Sequence, residues 1–153
     1  MEAIRSLLLA NLEEAYRKRG WHGTNLRGAI RGLTADQVLW RPAKERHNIW
    51  ELTVHAAYWK YAVRRRLTGT KRGSFPIKGS NWIASPSRPD VESWRQVVTL
   101  LDEQHQELRS AVEAMGDGDL SNPSKLQLVY GVAAHDLYHT GQIQLTKRLM
   151  AGA

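Results

Sequence analysis

The 153-residue sequence contains no cysteine. That excludes a disulfide framework and any chemistry that needs a thiolate of the chain itself. No apolar run approaches the ~18 residues of a membrane span. The opening stretch, MEAIRSLLLANLEEAY, has too short an apolar segment for a signal peptide, carries flanking acids and lacks a cleavage pattern. A soluble cytoplasmic protein is expected. Acidic residues are in deficit, 15 against 22 lysines and arginines, for a formal charge of +7. A pI near 10.0 would suit an anionic partner. The densest basic run, Arg64-Arg65-Arg66, falls at the end of a helix, where cations complement the dipole. No nucleic-acid motif accompanies it, so neither nucleic acid nor membrane is the expected partner.

What is present is helical periodicity. The length suits one domain over residues 1–153, and a 42% hydrophobic content is enough for one core. No segment alternates with period two, which makes the chain all-α. A first helix carries Ile4, Leu7, Leu8, Leu12, Ala15 and Tyr16 on one face and stops near Gly20. A shorter piece follows from Thr24 to Leu33, then a brief turn with a capping box at Thr34–Gln37. Asn48 caps a second long helix, to about Thr68, with Glu51 reaching back to the cap or on to His55. The third helix has a stripe from Val91 through Trp94, Val98, Leu101, His105, Leu108 and Val112 to Met115, ended by Gly116 and Gly118. The fourth opens at Asn122-Pro123 and runs almost to the C-terminus. Residues 69–89 form a long connection rich in Gly, Pro and Ser, yet Phe75, Ile77, Trp82 and Ile83 need somewhere to pack. This loop is expected to cover a functional site.

The chemistry concentrates in AHDLYHTGQI, residues 134–143. His135 and His139, four apart, share a helical face and can converge on one ion. The stripe Leu128, Val132, His135, His139, Gln142, Thr146, Leu149 reads as core-facing, and His55 lies on a core stripe of another helix with Ile49, Leu52, Trp59 and Ala62. A bare HxxxH arises often by chance. Three buried neutral imidazoles need partners, however, and one shared metal satisfies all three. Three such ligands leave coordination positions open, as in a catalytic site, and suit a transition metal rather than Mg or Ca. His105, between leucines, reads as a hydrogen-bonded core histidine; His47 flanks the Asn48 cap; Asp136 reads as a solvated charge or a group orienting a ligand. Trp50, Tyr58, Trp59 and Tyr138 read as core. His22, Tyr138 and Gln142 are candidate pocket contacts, with His22 equally a turn residue.

The segments WHG at 21–23, WRP at 40–42, HNIWELTVHAAYWKYAVRRRLTG at 47–69 and HDLYHTGQIQLTKRL at 135–149 together resemble the DinB-like (YfiT-type) superfamily over nearly the whole chain. The last two are the specific ones. The resemblance places the family's three metal-binding histidines on His55, His135 and His139. It implies a four-helix bundle connected up-down-down-up, often a homodimer, with a divalent metal at one end. The long loop is what a link between parallel second and third helices would need. Characterised relatives include metal-dependent transferases and isomerases that use small thiols such as bacillithiol or mycothiol; others look like hydrolases. The expectation is therefore a metal-dependent, thiol-dependent S-transferase acting on a small molecule. The alternatives are a hydrolase using metal-activated hydroxide, or a non-catalytic bundle that binds metal or nucleic acid. Zinc or nickel leads as the metal, with iron, copper or manganese compatible.

Overall fold

The computed structural model covers residues 1–153. Four long helices form the body: α1 (Glu2–Tyr16), α4 (Ile49–Thr68), α5 (Val91–Glu113) and α7 (Pro123–Ala151). Three short ones, α2 (Leu26–Ala29), α3 (Ala35–Leu39) and α6 (Asp117–Leu120), lie in the connections. There is no strand, only an isolated bridge between Gly20 and Gly23.

Local chemistry explains most of these boundaries. The Asn48 side chain accepts from the Glu51 N–H at 2.9 Å and starts α4. Gly69, at φ 73°, ends it in the left-handed conformation that glycine adopts without strain. Thr34 and Gln37 form the capping box of α3. Asn122 accepts from the N–H groups of Ser124 and Lys125, with Pro123 in the first turn of α7. Gly116 does more than end α5, because it is the N-cap of α6, which contains Gly118.

Buried apolar side chains sort into two clusters along the bundle. One joins Ile49, Leu52, Trp94, Leu101 and Ile143; the other joins Leu12, Val63, Leu67, Leu108, Val112, Val129 and Val132. The N-terminal halves of α4 and α5 thus lie at the same end, so these neighbours run in the same direction, and α7 opposes both. α1 opposes α5, since Tyr16 meets Asp102, Glu13 meets His105 and Arg5 meets the Met115 carbonyl. Joining two helices of one direction requires a return along the bundle, ~30 Å for a helix of twenty residues. The long loop makes that return with Phe75, Ile77 and Ile83 packed on the first cluster. The N–H groups of Gly73 and Ser74 donate to the Tyr61 hydroxyl at 3.1 and 3.3 Å.

Two expected faces are rotated. In α1 the buried side is Leu8, Leu12, Glu13, Ala15 and Tyr16, while Leu7 is 70% exposed. In α7 it is Val129, Val132, Ala133, Asp136, His139, Thr140, Ile143 and Thr146. Leu128 and His135 therefore lie at the edge of this face, and Gln142 and Leu149 lie outside it. Polar residues at the centre of the true face hid its position from hydrophobic periodicity.

Candidate metal centre

α4 and α7 bring His55, His135 and His139 together, with one ligand-capable nitrogen from each within 4.8 Å of the others. The Nε2 of His135 lies 3.0 Å from the Nε2 of His55 and 3.0 Å from that of His139. His55 Nδ1 is 2.9 Å from the Asn81 carbonyl, and His139 Nδ1 is 2.6 Å from Gln142 Oε1. Carbonyl oxygens only accept, so both Nδ1 atoms carry the proton and both Nε2 atoms present lone pairs. The His135 Nε2 can donate to one of them at most, and its own Nδ1 is buried without a partner. Protons alone therefore leave at least one inward lone pair unmatched. A divalent transition ion would satisfy all three. Bonds of ~2.0–2.1 Å at tetrahedral angles put ligand nitrogens ~3.4 Å apart, near the 3.0 Å that separates His135 from each of the other two.

The site also keeps its imidazoles neutral. Burial holds His55 down at about 4, with His139 adding to the effect, and holds His135 at about 3. His139 is lowered for the same reason, against a hydrogen bond to Gln142 that raises it. Gln142 is exposed, so it does not continue a polar patch into the core. It sets the tautomer and the ring direction of His139. Gln142→Ala should weaken metal binding about 10–100-fold, measured by competition with a chromogenic chelator, and Gln142→Glu should retain most of the affinity. Unchanged affinity in Gln142→Ala would remove this role.

The long loop closes one side. The Trp82 indole is sandwiched between His47, at 3.6 Å and 3°, and His55, at 3.8 Å and 8°. Asn81, at φ 56°, turns its carbonyl to His55 while its side-chain oxygen accepts from Trp59 Nε1 at 2.9 Å. A latch holds the segment. Glu51 accepts from Arg41, His47 Nδ1 and the Ser85 N–H, and Asn48 Nδ2 donates to the Ser85 hydroxyl. Burial would raise the Glu51 carboxyl, but hydrogen bonds from Arg41 and His47 outweigh it and hold the group at about 2. Glu51 therefore neither closes the cap nor meets His55. His47 is more than a flank of the cap, since it joins this latch to Trp82.

Beneath the histidines runs a buried polar chain that sequence reasoning missed. Asp136 is fully buried, so it is not a solvated charge, and it pairs with the equally buried Lys60. Lys60 Nζ also lies 3.4 Å from His105 Nδ1, and His105 Nε2 donates to Glu13 at 3.1 Å. Tyr16 stacks on His105 at 3.9 Å. His105 is thus the hydrogen-bonded core histidine expected. Burial, aided by Lys60, lowers it to about 3. An unfolded chain takes up that proton near 6.5, so between these values the unfolded state binds more protons and stability is lost as pH falls. Urea unfolding at pH 7 and pH 4.5 should show His105→Gln losing about 2 kcal/mol less than wild type on acidification. Equal losses would contradict a neutral buried His105.

Of the other candidates, Tyr138 is 67% exposed rather than core, and its ring meets His139 edge-on at 5.1 Å. Tyr58 and Trp59 are half-buried; Trp50 is buried. His22 does not join the histidines. It lines a separate depression with Thr24, Leu137, Thr140 and Gln144, over another side of α7. Beside His55 and His135 is a cavity of about 420 Å³, lined also by Trp59, Val63, Leu128, Val132 and Gly131, with Arg66, Asn81 and Gln127.

No curated protein and no solved structure matches the chain. A family model, that of the DinB superfamily, matches residues 20–143. This span includes all three histidines, the latch and the loop, and it is well over half the sequence. The chain belongs to the DinB superfamily.

Proposed function

We propose that this protein is a metal-dependent enzyme that transfers the sulfur of a small thiol to an electrophilic carbon. The observation that carries the reading is the convergence of three neutral Nε2 atoms beside an apolar cavity, which leaves room for a further ligand. An ion bound there supplies a Lewis acid that lowers the pKa of a coordinating thiol.

The residues of the chain do the rest. His55 and His139 are oriented by Asn81 and Gln142; Trp59 and Trp82 exclude water from one side. The thiol proton passes to solvent, and sulfur bonds to carbon as the electrophile's leaving group departs or its π bond takes a proton from water. This sequence needs no general base from the protein. Hydrolysis ordinarily does, to move protons between water and leaving group. The cavity lining contains no carboxylate: Glu51 is held in the latch and Asp136 by Lys60. That absence favours S-transfer over hydrolysis.

The test uses untagged, metal-loaded protein with panels of thiols plus electrophiles, against esters and amides without thiol. Thiol-dependent product should form, vanish on chelation or in His135→Ala, and return with metal only in wild type. Ester or amide cleavage without thiol would replace this reading with hydrolysis. Neither activity would remove the enzymatic claim.

A further inference from the structure

The cavity is a groove between α4 and α7 with direction as well as volume. Along α4 it is lined by His55, Trp59, Val63 and Arg66; along α7, by His135, Val132, Gly131 and Leu128. One end holds the metal ligands, the middle is apolar, and the far end carries a cation. At 1.5 Å per residue, the positions from His55 to Arg66 span ~16 Å.

Arg66 is exposed at the mouth of the groove and makes no ion pair. Its neighbour Arg64 pairs with Glu107 at 3.0 Å, whereas Arg66 has no acidic partner. Its guanidinium lies back over the Trp59 ring, 5.7 Å from the centroid. That ring in turn is 6.4 Å from His55 and 6.2 Å from His135. One indole thus separates the free cation from the histidines. Gly131 supplies the second observation. It sits inside α7 without a positive φ, where alanine would favour the helix more. A Cβ there meets nothing within 4 Å, so no packing demands glycine. The groove floor is open at this position.

We propose that this groove is the substrate subsite, and that it takes an elongated ligand with an apolar middle and an anionic far end held by Arg66. The proposal rests on the metal reading above and adds the class of molecule that enters. A guanidinium binds a carboxylate through two parallel N–H donors. The Val63, Leu128 and Val132 side chains receive the connecting chain, while the Trp59 ring backs the Arg66 guanidinium.

The test uses cobalt(II)-loaded protein and its visible spectrum. The probes are straight-chain hydroxamic acids with four, six or eight methylenes, ending in a carboxylate or its methyl ester. The hydroxamate addresses the metal without involving thiol chemistry. At one chain length the carboxylate should bind about tenfold or more tightly than the ester. Arg66→Ala should make the two equal, Arg66→Lys should keep part of the preference, and Arg66→Glu should reverse it. Gly131→Leu should weaken both probes while cobalt stoichiometry stays unchanged. Equal binding of acid and ester in wild type, or a preference that survives Arg66→Ala, overturns the subsite.

A parallel series of ω-mercapto acids separates this proposal from the thiol reading. If hydroxamates show the preference and mercapto acids leave the spectrum unmoved, the thiol reading fails and the subsite stands. If mercapto acids shift the spectrum without any carboxylate preference, the reverse holds. Absence of a cobalt spectrum would remove both.

Discussion

Lys60→Met should lower the melting temperature by roughly 6–20 °C at neutral pH, among the largest effects of any single substitution in this chain. Lys60 and Asp136 are both fully buried and face each other across α4 and α7. Removing one partner of such a pair leaves an uncompensated buried charge, at a cost of about 3–5 kcal/mol. For a domain of this size each kcal/mol shifts the midpoint by ~2–4 °C. Methionine keeps much of the lysine's volume, so the loss reports charge rather than a cavity. Burial already raises the Asp136 carboxyl, and Lys60 draws it back. Without Lys60 the carboxyl should titrate higher still, so the penalty should grow with pH above the ordinary value of 3.8 and shrink in acid. The double variant Lys60→Met/Asp136→Leu should recover most of the loss, because replacing a buried pair by apolar groups is often neutral. A shift under 2 °C in the single variant, or no recovery in the double, would show that the pair does not hold the core.

The second large effect concerns metal. Apo protein titrated with Zn(II) or Ni(II) should take up one ion per chain and gain about 4 kcal/mol at a thousandfold excess over Kd. The melting point should then rise by roughly 8–16 °C. His55→Ala, His135→Ala and His139→Ala should each remove most of this gain, since each leaves two ligands. Protons compete for the same lone pairs, so acid should release the ion. His105→Ala is the internal control. It breaks the contact with Glu13 and should lower both apo and holo melting points, yet leave their difference and the stoichiometry intact. Loss of metal in His105→Ala with full retention in His55→Ala would reassign the third ligand.

Local features were legible in advance because their physics is local. The Asn48 cap, the helix end at Thr68 and the Asn122-Pro123 start each act within one helical turn, and all appear as read. The His135–His139 pair is likewise a consequence of helical pitch. The family segments brought His55 to the pair, and its place on a buried stripe agreed. The long loop was recognisable as more than a linker by the apolar residues it carries.

Other features depend on partners distant in the chain. Asp136 and Lys60 each look like ordinary surface charges in sequence; only their meeting, 76 positions apart, makes burial tolerable. The rotated face of α7 follows from that pair, because a charged residue at the centre of a core stripe defeats any pattern of apolar spacing. The side chain of Glu51 left its cap because Arg41 and Ser85 offered stronger bonds. Trp82 took its place between two histidines because the return of the loop ends there, latched at Ser85. Helix periodicity and capping are set by neighbours within four residues, so the sequence alone determined the helices and the histidine spacing. Desolvation depends on everything that surrounds a group, so only the tertiary structure decided which charges are buried and what covers the site.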